Sequence, residues 1–273
     1  TFRWMIGQSY IAPKWAMGYG QSRWSYMNST EVEDVVKKHR EKGLPLDAVY
    51  LDIDYMDNYK DFTVNKGAFP DLAGLSQHLK EDYGVRLVPI IDAGVKIEAG
   101  YDVYEEGVKE GHFCKNEKGE DFVGAVWPGK VHFPDFLQEK TRKWFGHKYK
   151  ILMDMGIEGF WNDMNEPAIF YSEDGLKEAF FAIDSLKQLD NIDINDYFKL
   201  GGIINGVSNS EKDYGRMYHQ YEGKTVCHKE VHNLYGYHMT KAAGEAFEEI
   251  EPDKRVLLFS RASYIGMHRY GGI

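Results

Sequence analysis

Cysteine is scarce in this chain: Cys114 and Cys227 are the only two in 273 residues, far apart and in no C-x-x-C spacing. Two free thiols in a reducing compartment is the plain reading, with a single disulfide as the alternative. Positive charge is also short, 33 Lys and Arg against 43 Asp and Glu, for a net charge of −10. With no basic run anywhere, nucleic acid and anionic membrane surfaces are disfavoured as partners. No apolar run approaches the ~20 residues that a membrane-spanning helix needs. The first residues, Thr1-Phe2-Arg3-Trp4, carry neither an initiator Met nor a secretory h-region. A cytoplasmic location is the expectation, for a chain that has lost an upstream part or is a piece of a longer one. Internal repeats, heptads and low-complexity tracts are absent as well. What remains is a globular composition, 43% hydrophobic and 28% charged with the charges dispersed. Its length suits one large α/β barrel, or two ordinary domains, with a sizeable core.

Strand-like and helix-like segments alternate along the chain. Thr30 and Glu33 form a capping-box pattern, followed by Val32, Val35, Val36 and His39 at helical spacing until Gly43 and Pro45. Ala48 to Asp54 is an apolar run ending in acids, as a buried parallel strand would. A helix from Leu75 to about Tyr83 feeds a second such strand, Val85 to Asp92. A hairpin is predicted around Glu117-Lys118-Gly119, a helix from about Phe136 to Met155, and a strand from Gly156 to Asp163. A helix near Thr240 to Ile250 and a strand from Arg255 to Arg261 follow. The stretch of about 172–231 holds a helix, Leu176 to Leu189, and then polar, Gly- and Asn-rich sequence that reads as an insertion.

Repeated strand–helix units imply a parallel sheet with crossover helices. Several of the predicted strands end in Asp or Arg, and in a barrel such C-terminal ends converge on one site. An open doubly wound sheet would instead carry a Gly-rich phosphate loop. Gly18-Tyr19-Gly20 lacks the third glycine of that fingerprint, and no GK[ST] occurs. The expected class is therefore α/β, a (β/α)8 TIM-type barrel.

Chemistry concentrates in a few places. Phe160-Trp161-Asn162-Asp163-Met164-Asn165-Glu166-Pro167 packs acids, amides and a Trp into one strand end. Asp163 there is either a nucleophile or base, or part of an N-cap cluster at a βα loop. Asp52 and Asp54 stand two apart, which on a strand puts both on one face. Paired carboxylates repel unless hydroxyls, a cation or a base offset them. An EF-hand loop is excluded because its sixth position, which needs Gly, is Asp57. Trp24, Trp127 and Trp161 lie beside these polar segments, and flat aromatic faces suit sugar rings. Arg261 is a candidate counter-ion. His228 and His232 have the i,i+4 spacing of zinc ligands, but Lys229 stands where the metalloprotease pattern needs Glu. Histidines in an insertion, surface-lying or hydroxyl-binding, are the preferred reading, so no metal and no cofactor are expected. A serine-hydrolase G-x-S-x-G elbow is absent.

Taken in order, Gln21-Ser22-Arg23-Trp24, Leu51 to Asp57, Phe69-Pro70-Asp71, Val126 to Gly129, Trp161 to Pro167, His232 to Gly236 and Ser260-Arg261 resemble glycoside hydrolase family 31, its α-glucosidase branch in particular. The resemblance runs from about Met5 to the last residue. It implies a retaining hydrolysis of terminal, non-reducing α-linked glucose from oligosaccharides through a covalent glycosyl-enzyme. Asp163 matches the nucleophile and Asp52 the carboxylate that holds the outer hydroxyls. Arg261 matches the arginine beside the nucleophile, while Trp127, Trp161, Trp24 and Ile90 match walls of the subsite and Met164 follows the nucleophile. Asp54, Asp92 and Glu166 are further candidates. Ala93 replaces the usual Pro after Asp92, and a local backbone effect without change of chemistry is expected.

A retaining reaction also needs an acid/base, ~5–5.5 Å from the nucleophile. The family's W-x-G-D motif that carries it does not occur in the 273 residues. The expectation is thus an N-terminal portion, about five strands, of a barrel whose isolated form turns over little substrate. Its open sheet edges predict instability or self-association. Competing readings are α-xylosidase, transglucosidase or α-glucan lyase action on the same scaffold, or a non-catalytic sugar-binding portion.

Overall fold

The computed structural model describes residues 1–272. Five strands form one sheet in the order in which they occur in the chain, each parallel to its neighbour: β1 (Gly20–Gln21), β2 (Ala48–Leu51), β3 (Arg86–Ile91), β4 (Gly159–Asn162) and β5 (Leu257–Ser260). A doubly wound sheet reverses its strand order at a switch point, and this one does not. Sequential parallel order is the barrel's topology, and the fold is part of a (β/α)8 barrel.

The chain forms two compact units. The first comprises residues 1–93, 139–166 and 233–273 and holds the five-stranded sheet. Buried, mostly branched residues of β2 and β3 (Val49, Leu51, Leu87, Val88, Ile90, Ile91) build its core, as two-sided parallel strands require. Phe160 on β4 turns outward to Tyr149 and Phe247, with ring centroids at 4.9 and 5.4 Å.

Helix α1 (Ser29–Glu41) follows β1, and its cap is Asn28, whose side chain accepts from the Glu31 amide. The Thr30–Glu33 capping box is not formed, because the helix begins before Thr30 and Glu33 pairs with Lys37 at 2.9 Å instead. Helix α2 (Leu72–Tyr83) starts three residues earlier than its sequence pattern predicts, because Asp71 caps it. Phe136 to Met155 is not one helix: Glu139–Lys148 and Lys150–Met153 are separate, joined at Tyr149, whose ring is fully buried. Each strand is also shorter than expected, since its terminal acid or Arg lies in the following loop.

The second unit comprises residues 94–138 and 167–232, two excursions that follow β3 and β4 in the chain. Strands Val95–Lys96, Gly129–His132, Gly124–Val126 and Tyr171–Ser172 form an antiparallel sheet in that order. A second hairpin pairs Tyr218–Tyr221 with Lys224–Cys227. Its turn residues Glu222 and Gly223 both have positive φ, 49° and 76°, as a primed two-residue turn requires. Helices Glu173–Lys187 and Ile194–Asn205 also belong to this unit. Both cysteines are free thiols. Among the described residues no helix is long and apolar enough to cross a membrane.

Candidate active site

The acids singled out in the sequence gather at the C-terminal ends of β2, β3 and β4, with an Arg at the end of β5. Asp163 directly follows β4, is 7% exposed, and its amide donates to the Ile91 carbonyl at 3.0 Å. Arg261 directly follows β5. Its Nη1 donates to Asp163 Oδ2 at 3.3 Å, and its Nε lies 3.2 Å from Oδ1. The same guanidinium grips Glu166 more tightly, Nε to Oε1 at 2.9 Å and Nη2 to Oε2 at 2.7 Å. Such a fork geometry is particular to Arg. Because Glu166 takes the closer share of the cation, Asp163 is held in place without being fully neutralised.

Burial pushes the Asp163 carboxyl above the usual carboxylate range. Arg261 and the Met164 amide pull it back, and Glu166 and Asp52 push it up again. Arg261 itself is raised, chiefly by its hydrogen bond to Glu166.

Met164 has a left-handed backbone, φ 55°, uncommon for a side chain of its size, and is 5% exposed. Its sulfur accepts from Arg261 Nη2 at 3.4 Å. Asn165 locks the turn: its Nδ2 donates to Ser260 Oγ at 2.9 Å, and its Oδ1 accepts from the Ala262 amide at 3.0 Å. These bonds tie the loop after β4 to the end of β5 and thereby carry Arg261 to Asp163. Asn162 points to the other face, where the buried Tyr149 hydroxyl donates to its Oδ1 at 2.6 Å.

Asp52 and Asp54 do not share a strand face. Strand β2 stops at Leu51, and Asp52 caps a 3-10 turn, Ile53–Tyr55, by accepting from the Ile53 amide at 2.8 Å. Burial raises its carboxyl, the Ile53 amide opposes that, and Asp54 adds to it. Asp54 lies within the turn and accepts from Tyr59 at 3.5 Å. Asp92, 3% exposed, follows β3 and donates its amide to Asp61 Oδ1 at 2.8 Å. Both carboxyls are held well above the ordinary range by burial, and Asp61, Asp163 and Asp52 push Asp92 further.

The aromatic candidates are spread more widely. Trp161 lies within β4, edge-on to Tyr50 at 6.3 Å, and Ile90 is its register partner on β3. Trp24 lies in the loop after β1 and is 71% exposed. Trp127 belongs to the second unit, where it stands edge-on to Phe170 at 5.0 Å.

Sequence reading missed Asp61, Asn165 and Tyr149. Asn165 sits inside the most informative segment and had a signal; Asp61 and Tyr149 had none, being single residues in otherwise ordinary stretches.

The histidines of the second unit are not at its surface. His219 and His228 are fully buried, and only His232 is partly exposed. Cys114 Sγ, Asp135 Oδ1 and His219 Nδ1 lie within 4.8 Å of one another, a donor set that a metal could use. Each is already engaged: Nδ1 stands 2.8 Å from Oδ1 and 3.5 Å from the sulfur.

Comparison with known proteins gives one consistent result. Residues 9–273 match the model described as glycosyl hydrolases family 31 TIM-barrel domain. The chain is 37% identical over 269 residues to alpha-glucosidase 2 of Bacillus thermoamyloliquefaciens, covering 98% of this chain and 29% of that protein. To an alpha-glucosidase of Saccharolobus solfataricus it is 32% identical, covering 98% of this chain and 36% of that one. A crystal structure of a glucosidase II alpha subunit superposes with a TM-score of 0.76 at 29% identity, over 97% of this chain and 25% of the other. The chain thus spans about a third of the length of the curated relatives it matches.

Proposed function

The chain belongs to glycoside hydrolase family 31, and on that premise we propose that the protein is a retaining α-glucosidase that releases terminal glucose from the non-reducing end of α-linked oligosaccharides. The relatives named above as α-glucosidases support that substrate class. The observation that carries the reading is Asp163: a buried carboxylate at a strand's C-terminal end, oriented by a cation it does not monopolise.

Retaining hydrolysis runs on two carboxyls, and Asp163 is the nucleophile of the pair. Its carboxylate attacks the anomeric carbon as the bond to the leaving oxygen breaks, and that oxygen takes a proton from the second carboxyl. The product of this step is a β-linked glycosyl ester. Water, deprotonated by the same second group, then attacks the anomeric carbon and returns Asp163 as a carboxylate. Arg261 opposes the upward push of burial on the Asp163 carboxyl, and Glu166 fixes Arg261. Asp52 accepts hydroxyls of the terminal sugar, with Asp54 beside it. Trp161, Trp24, Ile90 and Met164, all in the first unit, supply apolar walls for the ring. Asp92, whose amide is held by Asp61, adds a further carboxyl that interacts electrostatically with Asp163.

Asp163→Asn changes one oxygen for an amide nitrogen and leaves the shape intact. In the intact enzyme it should lower kcat on an aryl α-glucoside by on the order of 10^3-fold or more. An unchanged rate with a correctly folded variant overturns the assignment. Faster turnover of the matching α-xyloside would move the specificity to the pentose.

A further inference from the structure

The second unit contains a row of three histidines anchored at one end by a carboxylate. His219 Nδ1 stands 2.8 Å from Asp135 Oδ1, His219 Nε2 stands 2.9 Å from His228 Nδ1, and His228 Nε2 stands 2.9 Å from His232 Nδ1. Asp135 is 1% exposed, and its other oxygen accepts twice, from Gln138 Nε2 and from the Gln220 amide, each at 2.8 Å. Among the described residues, no hydrogen-bond partner is matched to His232 Nε2.

A neutral imidazole carries one N–H and one lone pair, so each contact between two rings has one donor and one acceptor. A carboxylate only accepts. With its ring neutral, His219 carries its proton on Nδ1, which leaves Nε2 as acceptor for His228 Nδ1–H. His228 Nε2 then accepts from His232 Nδ1–H. Burial and the two flanking rings hold the His228 pKa down to about 2, so the middle ring does not escape this logic by becoming doubly protonated near neutral pH.

We propose that Asp135 is a positioning residue that sets the tautomers of His219, His228 and His232 in series, making the outer nitrogen of His232 a dedicated hydrogen-bond acceptor for a hydroxyl, of a carbohydrate or of water. This polarity stands independently of the hydrolytic reading. It also predicts its own reversal. In Asp135→Asn, the two donors at Gln138 and Gln220 hold the amide oxygen on their side and turn the NH2 toward His219. That nitrogen donates to Nδ1, so His219 carries its proton on Nε2, and each following ring flips in turn. One atom exchanged at Asp135 thus converts the outer nitrogen of His232 from acceptor to donor.

The test is two-bond 1H–15N correlation on the chain labelled with 15N-histidine at neutral pH. Wild type should show all three rings as Nδ1–H tautomers, and Asp135→Asn should show all three as Nε2–H. His228→Phe should cut the series, leaving His219 as Nδ1–H while His232 loses its single tautomer. Maltose that displaces the His232 Nε2 resonance identifies a sugar hydroxyl as the donor, and an unmoved resonance identifies water. An Nε2 proton on any of the three rings of wild type overturns the proposal. So does an Asp135→Asn spectrum with the protons unmoved, or a His232 still locked in His228→Phe.

Discussion

Arg261 stands between two acids, and the division of its charge decides how the nucleophile titrates. It lowers the Asp163 carboxyl, while burial, Glu166 and Asp52 raise it. Removing the cation leaves the Met164 amide alone to oppose burial and the two acids, so the pKa of Asp163 rises and less of it is ionised at a given pH. The acid limb of the kcat/KM profile of Arg261→Gln should therefore move to higher pH than that of wild type, on top of an overall loss of activity. A limb that stays in place would mean that the limb reports another group. The sequence made this pair legible because both residues lie in motif segments at strand ends. It did not show that Glu166 holds the guanidinium more closely than Asp163 does, since rotamers and distances leave no trace in spacing. The Asp61–Asp92 contact was equally hidden, because nothing local to either residue announces a partner 31 positions away.

At the scale of elements, alternating strand and helix patterns were readable, but their ends were not. A run such as Ala48 to Asp54 is apolar enough to read as one strand, yet hydrogen bonding by the Asp52 side chain to the next amide turns the chain at Leu51. The last long helix shows the opposite error. It spans His228–Ile250, although its sequence pattern suggested a start near Thr240. Gly236 looks like a break, but it is a close-packing site, as is Gly244 within the predicted helix: a Cβ would meet the Asn165 carbonyl oxygen at 2.8 Å and the Tyr270 carbonyl oxygen at 2.3 Å. Gly146 does the same in Glu139–Lys148, where an added Cβ would lie 2.3 Å from the Ala242 carbonyl oxygen. Gly146→Ala should accordingly destabilise by about 1–3 kcal/mol despite the better helix propensity of Ala. Gly201→Ala, within Ile194–Asn205 and with nothing inside 4 Å, should instead stabilise its helix by roughly 0.5–1 kcal/mol. Chemical denaturation of the two variants should therefore move the midpoint in opposite directions, and parallel shifts would refute the packing argument.

For the whole molecule, the sequence carried the fold class because strand order, crossovers and polar strand ends are all written in the chain. The partition into two compact units was less legible, since residues 94–138 carry no composition shift and 167–232 show one only in part. What the sequence also concealed is which apolar residues remain at the surface. In the second unit Phe180, Phe181, Tyr197 and Phe198 are 58%, 76%, 64% and 67% exposed, on the helices Glu173–Lys187 and Ile194–Asn205. Exposed rings of that kind favour association, and a net charge of −10 at pH 7 opposes it. The balance shifts with pH: near the isoelectric point of about 5.5 the repulsion vanishes while the rings stay exposed. Light scattering on the 273-residue chain should show larger particles at pH 5.5 than at pH 7.5. Phe181→Glu combined with Phe198→Glu should reduce that growth while leaving Tm within about 2 °C, because surface substitutions of this kind stay within ±0.5 kcal/mol. Growth at pH 5.5 that is undiminished in the double variant would place the association elsewhere on the molecule.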